Sequence, residues 1–209
     1  TESIHLKAFQ KTFDKFKIKL TPEYHKSLIG GTVKENIIQI NNDFNINVDV
    51  DEYVKLRNDE YLHLLESEHI NPNQGLKELL LWGKKNNIKL GICSSSKKIM
   101  VDKVLENVFN IMKISDSIYD FFDAFATAEN VKRKKPFPDL YIYISNKLNL
   151  HPSECVAIED SEVGIISAKS AGCRTIALTT PFNTIDSLVK ADKIINSLDE
   201  ILKENFWGW

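Results

Sequence analysis

From residue 75 onward, short apolar runs alternate with helical stretches, and this alternation restricts the fold more than any other feature. The runs are brief, rich in β-branched residues and bounded by polar turns, as is typical of parallel strands covered on both faces. They are Ile88 to Cys93, Asp123 to Thr127, Cys155 to Ile158, Arg174 to Leu178 and Lys193 to Ile195. The stretches between them have helical periodicity, and Gly172 is placed to end one of these helices. The pattern predicts an α/β fold with a doubly wound parallel sheet.

The first third of the chain has a different pattern, with apolar residues at helical spacing and no strand signal. Stripes of this kind run from Ile4 to Phe16, from Val33 to Ile40 and from about Asp49 to Glu66. Asn, Pro and Gly mark the joints between them. We therefore expect an all-helical subdomain over residues 1–72 and the α/β core over residues 73–209.

The charge balance and the cysteines exclude several classes of protein. The 27 basic and 29 acidic residues give a formal charge of −2, so no basic field predicts nucleic acid or an anionic membrane as a partner. No apolar run approaches the roughly 20 residues that span a bilayer. Cys93, Cys155 and Cys173 lie far apart in apolar runs, which predicts buried, reduced thiols. We expect a cytoplasmic protein that is a monomer or a weak homodimer.

Polar residues follow the predicted strands, where ligands bind in sheets of this type. The paired carboxylates Glu159 and Asp160 repel each other unless a cation relieves them, and Mg²⁺ suits such a pair. Ser94 stands where a strand gives way to a helix, a ready anion site. Lys135 precedes two prolines that restrict its backbone. Each residue also has a structural interpretation: Ser94 and Asp160 or Ser161 as helix caps, and Lys135 as a solvated loop lysine.

The three motifs in this order resemble the haloacid dehalogenase superfamily, in its phosphatase and phosphomutase branch. Ser94 matches the second family motif, Lys135 in Lys135-Pro136-Phe137-Pro138-Asp139 matches the third, and Glu159-Asp160 match the fourth. The resemblance implies a Rossmann-like core with a helical cap. It also implies a Mg²⁺-dependent phosphohydrolase that acts on a small phosphorylated metabolite through an aspartyl-phosphate.

The resemblance also implies roles for these residues. Glu159 and Asp160 would hold the metal ion, Lys135 would pair with a phosphate oxygen, and Ser94 would donate a hydrogen bond to another. Substrate contacts fall to residues of the cap and of the loop after the first run: His5, Lys34, Arg57, Ser95, Ser96 and Lys97. As alternatives, His5 is a packed surface residue, and Lys34 and Arg57 are solvated helix charges.

Phosphatase and mutase remain open at this point, with phosphatase favoured. Ser96 and Lys97 resemble the residues with which beta-phosphoglucomutases grip a second phosphate. However, Lys98 stands where that pattern has Asn, and Lys34 stands where it has Arg. Lysine binds phosphate as a point charge and lacks the bidentate fork of arginine.

The family's first motif, Asp-x-Asp-Gly-Thr/Val, which carries the nucleophile, is absent from the sequence. Thr1-Glu2-Ser3-Ile4-His5 resembles the segment that follows it. We expect a native chain with about fifteen further residues, because a doubly wound sheet without its central strand exposes unpaired apolar edges. The alternative is a chain that has lost the motif and serves as a catalytically inactive phosphate-binding module.

Overall fold

The computed structural model describes residues 1–207, which divide after residue 70 into two compact units. The first unit is helical throughout. Its helices are α1 (Glu2–Thr12), α2 (Pro22–Lys26), α3 (Val33–Asp43) and α4 (Val50–Ser67). The division lies two residues before the predicted boundary at residue 72.

Side-chain caps mark the starts of α3 and α4. At α3, the Thr32 hydroxyl accepts from the Glu35 N–H (3.2 Å), and the Glu35 carboxylate accepts from the Thr32 N–H (2.7 Å). At α4, the Asp49 carboxylate accepts from the Glu52 N–H (2.8 Å). The core is formed by apolar side chains from α1, α3, α4 and the connections: Phe9, Phe13, Leu20, Leu28, Ile37, Ile40, Val48 and Tyr53.

The second unit contains five short parallel strands and six helices among its described residues. The strands are β1 (Gly91–Cys93), β2 (Ala124–Ala126), β3 (Val156–Glu159), β4 (Arg174–Leu178) and β5 (Lys193–Ile195). The helices are α5 (Leu76–Lys85), α6 (Lys98–Met112), α7 (Ile118–Phe121), α8 (Asp139–Lys147), α9 (Glu162–Ala171) and α10 (Ile185–Leu188). Gly172 ends α9 with φ +97°, as its position in the sequence predicts.

The parallel strands and intervening helices confirm the predicted α/β class, but the strands form two sheets. One has the order β1-β2 and the other β3-β4-β5. Val156 and Ile158 on β3 are 37% and 42% exposed, against the expectation of strands covered on both faces. The reason is a cavity of about 690 Å³, the interstrand cavity, which both β1 and β3 line.

The cysteines depart from the expectation of three buried thiols. All three are free, but only Cys173 is buried, while Cys93 and Cys155 are half-buried. Cys93 lines the interstrand cavity, and Cys155 lies just before β3. Within residues 1–207, no helix is both long and apolar enough to traverse a lipid bilayer.

Candidate active site

The candidate site in the second unit is built around Lys135, in the loop between β2 and α8. Its side chain is 9% exposed, and its ammonium group lies 2.5 Å from Glu159 Oε1 and 3.1 Å from the Cys93 carbonyl oxygen. Cys93 ends β1 and Glu159 ends β3, so Lys135 joins the carboxyl ends of strands from both sheets. The alternative of a solvated loop lysine is therefore wrong.

Glu159 is 8% exposed and is held by several elements. Its Oε1 accepts hydrogen bonds from Lys135 and from the Tyr141 hydroxyl on α8, and the Ser161 hydroxyl lies 3.4 Å from its Oε2. Gly164 on α9 lies against the carboxylate so closely that a β-carbon there would overlap Oε2. Glycine at this position lets α9 approach the site.

The charges of this cluster stabilise one another. Burial, the largest single cause, lowers the pKa of Lys135, but the charge and hydrogen bond of Glu159 together with Cys93 and Asp160 outweigh it, so the pKa lies above its ordinary value. Burial, followed by the charge of Glu159, raises the pKa of Tyr141 well above its ordinary value. Burial also raises the pKa of the Cys93 thiol to about 11. Lys135 is thus a fixed cation beside two neutral groups at physiological pH.

The loop of residues 94–97 follows β1 directly, and Ser94 in it does not cap α6. Its hydroxyl accepts from the Ser96 N–H (3.1 Å), whereas Lys97 occupies the cap position without a side-chain bond. The Ser96 carbonyl accepts from the Ala128 N–H (3.0 Å), which joins this loop to the loop after β2. Ser95 and Lys97 are exposed.

Asp160 is exposed and follows β3, and its carbonyl accepts from the Asn183 side chain (2.9 Å). Of the two residues considered as caps of α9, Ser161 has that role, since its hydroxyl accepts from the Gly164 N–H (3.1 Å). The Asp160 carboxylate is thus not used as a cap.

The carboxylates of Glu159 and Asp160 suit a hard divalent cation in kind. Glu159 Oε1 is engaged by two donors, whereas Oε2 has the Ser161 hydroxyl at 3.4 Å, and Asp160 adds an exposed carboxylate beside it. Over the described range, 1–207, no group of three His, Cys, Asp or Glu residues is placed to hold a metal ion. The two carboxylates therefore fit as part, but not all, of the ligand set of a divalent cation.

In the first unit, His5 and Arg57 come together. The Arg57 side chain, 1% exposed, lies 4.7 Å from the ring centroids of both Phe9 and Tyr61 and donates to His5 Nδ1. His5 stacks on Tyr61 with centroids 4.1 Å apart. The alternative of a solvated Arg57 is wrong. Lys34 lies apart from this cluster: it is exposed and pairs with Asp51 (2.8 Å), as a solvated helix charge would.

The His5 environment predicts a pH-dependent stability. Burial, with the charge of Arg57 as the second cause, lowers the pKa of His5 from 6.5 to about 3. Between these values the unfolded chain binds a proton that the folded chain does not, so stability falls as the pH falls from 6.5 toward 3. We expect the free energy of unfolding of the His5→Gln variant to fall by about 2–3 kcal/mol less than that of the parent over this pH range. Urea unfolding at pH 7 and pH 4 measures it.

His63→Gln, at an exposed position on the same helix as Arg57, is the matched control and should leave the pH dependence unchanged. An identical pH dependence in the His5→Gln variant and the parent protein would contradict the assignment.

Comparison with known proteins decides the family. The model of haloacid dehalogenase-like hydrolases matches residues 1–178. The chain belongs to this family. The resemblance predicted from the three motifs is thereby confirmed.

Two of the similar proteins are phosphatases of phosphorylated sugars or hexitols by name. A phosphorylated carbohydrates phosphatase of Thermotoga maritima is 26% identical over 211 residues, which cover 97% of this chain and 94% of that protein. Hexitol phosphatase B of Escherichia coli is 34% identical over 135 residues, 64% of this chain. That alignment spans only 57% of the hexitol phosphatase. The prediction of an enzyme of the phosphohydrolase or phosphomutase class is confirmed by the family and these relatives.

Solved structures show the same fold. A beta-phosphoglucomutase of Clostridium difficile is 27% identical, with a TM-score of 0.77 over 98% of this chain and 88% of that one. CbbY of Rhodobacter sphaeroides, solved in complex with phosphate, has a TM-score of 0.82 over 96% of this chain and 90% of that one. At 24% identity, the latter supports the fold alone.

Sequence reasoning missed Tyr141 and the carbonyl of Cys93 as members of the cluster. Tyr141 lies between Leu140 and Ile144 on the buried side of α8. A tyrosine within an apolar helix face was the available signal, because a buried phenol needs a hydrogen-bond partner. The role of the Cys93 carbonyl has no sequence signal, since every residue carries one.

Proposed function

We propose that the protein is a Mg²⁺-dependent phosphatase of a small phosphorylated metabolite, a sugar phosphate, and that it acts in the cytoplasm through an aspartyl-phosphate intermediate. The observation that carries the proposal is the buried Lys135, whose ammonium group contacts the last residues of β1 and β3, directly before Ser94 and Asp160 in the chain. The names of the Thermotoga maritima and Escherichia coli relatives support a sugar phosphate as substrate.

Lys135 is suited to hold a phosphoryl oxygen. Its ammonium group has three N–H donors, and two of them are directed to Glu159 and the Cys93 carbonyl. The third is available for a nonbridging oxygen of the substrate. Because the group is already held by these two contacts, little reorganisation accompanies the build-up of charge in the transition state.

Ser94 is suited to bind a second phosphoryl oxygen. Its hydroxyl oxygen accepts from the Ser96 N–H, so its own proton remains to be donated. Two donors of different type, an ammonium and a hydroxyl, would then hold the phosphoryl group at the strand ends.

Asp160 and the Oε2 of Glu159 would hold Mg²⁺. Bound there, the ion would offset the repulsion between the negative charge of the substrate phosphate and that of the site's carboxylates. Lys135 and Tyr141 keep Glu159 in one orientation, and Asn183 anchors the main chain of Asp160. These contacts fix the positions of the two residues that would bind the ion.

Hydrolysis is favoured over phosphate transfer within the substrate. The Lys98 ammonium pairs with Asp102 (2.7 Å) and contacts the Tyr119 hydroxyl, and Lys34 pairs with Asp51. Both ammonium groups are thus paired with carboxylates and not placed to bind the second phosphate that a mutase must hold. Ser95, Ser96 and Lys97 on the loop after β1 remain the proposed substrate contacts, whereas the Arg57 side chain is enclosed within the first unit, where it holds His5.

We expect the native protein to release inorganic phosphate from sugar phosphates in Mg²⁺, and Asp160→Ala to abolish this release. A panel of hexose, pentose and hexitol phosphates, assayed with a phosphate dye, measures the activity. Asp186→Ala removes an equally exposed aspartate of the same unit and should retain activity. Undiminished release in excess EDTA would contradict the metal assignment, and conversion of glucose 1-phosphate to glucose 6-phosphate without phosphate release would establish the mutase.

A further inference from the structure

The segment between β2 and α8 is hydrogen-bonded to the loop after β1, and its single acidic residue is Glu129. The Ala128 N–H donates to the Ser96 carbonyl (3.0 Å). Two residues further along the first loop, the Lys98 N–H donates to Glu129 Oε2 (2.8 Å). The buried Thr127 hydroxyl lies 3.3 Å from the same oxygen. The Glu129 carboxylate is therefore held at the start of α6.

Glu129 supplies what the residues of α6 lack at its start. Lys97 occupies the cap position without a side-chain hydrogen bond, and the first turn contains no acidic residue. A helix start is stabilised by an acceptor for its free N–H groups and by negative charge. Glu129 provides both from outside the helix, and its side chain is exposed. The start of α6 thus already has an anion, and that anion belongs to the protein.

The charges around the start of α6 balance. The Lys98 ammonium pairs with Asp102 (2.7 Å). Lys97 directly precedes the amide that Glu129 accepts from, so the carboxylate offsets the charge of this exposed lysine. A phosphate with nearly two negative charges would meet no net positive charge there. A hydroxyl group would meet a carboxylate, which is a strong hydrogen-bond acceptor.

We infer that Glu129 is a specificity-determining residue, which restricts the enzyme to substrates with one phosphate and an uncharged remainder that carries hydroxyl groups. The inference rests on the proposed function, in which Ser95, Ser96 and Lys97 contact the substrate. Glu129 accepts a hydroxyl of a sugar or alditol and repels a second phosphate or a carboxylate on the same molecule. It thereby selects the substrate without contacting the phosphate that reacts.

The test compares two ligands that differ by one phosphate, glucose 6-phosphate and glucose 1,6-bisphosphate. Glu129→Gln keeps an oxygen acceptor for the Lys98 N–H and removes the charge. Titration calorimetry in EDTA, with the native protein and the variant, gives the affinity of each ligand without turnover. In the variant, we expect the affinity for the bisphosphate to rise at least about tenfold, because a like charge is removed. The affinity for the monophosphate should change less than about threefold, because the acceptor is retained.

Two further variants separate charge from other effects. Glu106→Gln removes an exposed carboxylate further along α6 and should leave both affinities within about twofold. Glu129→Asp keeps the charge and should keep the ratio of the two affinities within about threefold of the parent value. Circular dichroism verifies that all variants are folded.

An unchanged ratio of affinities in Glu129→Gln would overturn the inference, as would an equal shift in Glu106→Gln. A parent protein that binds the bisphosphate as tightly as the monophosphate would overturn it too. Failure of the proposed function has a different signature, since the parent would then neither bind glucose 6-phosphate nor release phosphate from any sugar phosphate in Mg²⁺. That result would overturn both proposals, whereas the preceding ones leave the phosphatase assignment in place.

Discussion

Lys135→Ala should reduce the rate of phosphate release by the native protein roughly 10²–10³-fold, as loss of a positioned charge stabiliser does. The cause is the removal of the one buried ammonium group that bridges the ends of β1 and β3. Steady-state kinetics on the preferred sugar phosphate, with kcat and KM measured separately, gives the effect. We expect most of it in kcat, because the charge on the phosphoryl oxygens grows in the transition state.

Lys134→Ala is the matched control, since Lys134 precedes Lys135 but is exposed. It should change kcat by less than about threefold, as expected for an exposed charge. Equal losses in the two variants would remove the reason for assigning the role to Lys135.

Lys135→Met alone should lower the free energy of unfolding by about 3–5 kcal/mol, because it leaves the Glu159 carboxylate buried without its counter-charge. Glu159→Gln in the same chain should recover most of that loss, since no unpaired charge then remains. Urea unfolding of the parent, both single variants and the double variant gives the interaction energy as a double-mutant cycle. This test needs no enzyme assay.

An exposed ion pair provides the control for this cycle. Lys190 and Glu162 lie 2.8 Å apart with both side chains about half exposed, and Lys190→Met should cost less than about 1 kcal/mol. Additive effects of Lys135→Met and Glu159→Gln would show that the two groups do not stabilise each other.

The sequence predicts the bounds of a strand well where the apolar run and the turn residues around it agree. The strands Arg174–Leu178 and Lys193–Ile195 have the predicted bounds. The strand predicted over Ile88 to Cys93 is shorter, because the Ile88 N–H donates to the Gly83 carbonyl and the Leu90 N–H to the Asp123 carboxylate. Such contacts compete with the ladder, and hydrophobic pattern does not reveal them.

The candidate site was predictable in its residue types but not in its contacts. Motif order predicts that Ser94, Lys135 and the Glu159-Asp160 pair lie at carboxyl ends of strands, and Lys135 joins two such ends, one from each sheet. The burial of Arg57 was not predictable, because Phe9 and Tyr61, which enclose its guanidinium, lie on different helices. A long side chain with an apolar stem can be solvated or enclosed, and only tertiary packing decides between them.

The way Glu159 is held has a consequence for how this enzyme can diversify. Its position depends on Lys135, on Tyr141 of α8 and on the glycine at position 164 of α9, none of which belongs to the loop of Ser95, Ser96 and Lys97. With that loop as the proposed substrate contact, substitutions in it are expected to alter substrate preference while the Glu159 carboxylate keeps its geometry. Substitutions at Gly164 cannot do so, because any side chain there displaces the carboxylate. The scaffold thus separates positions at which new specificities can evolve from positions at which change removes the chemistry.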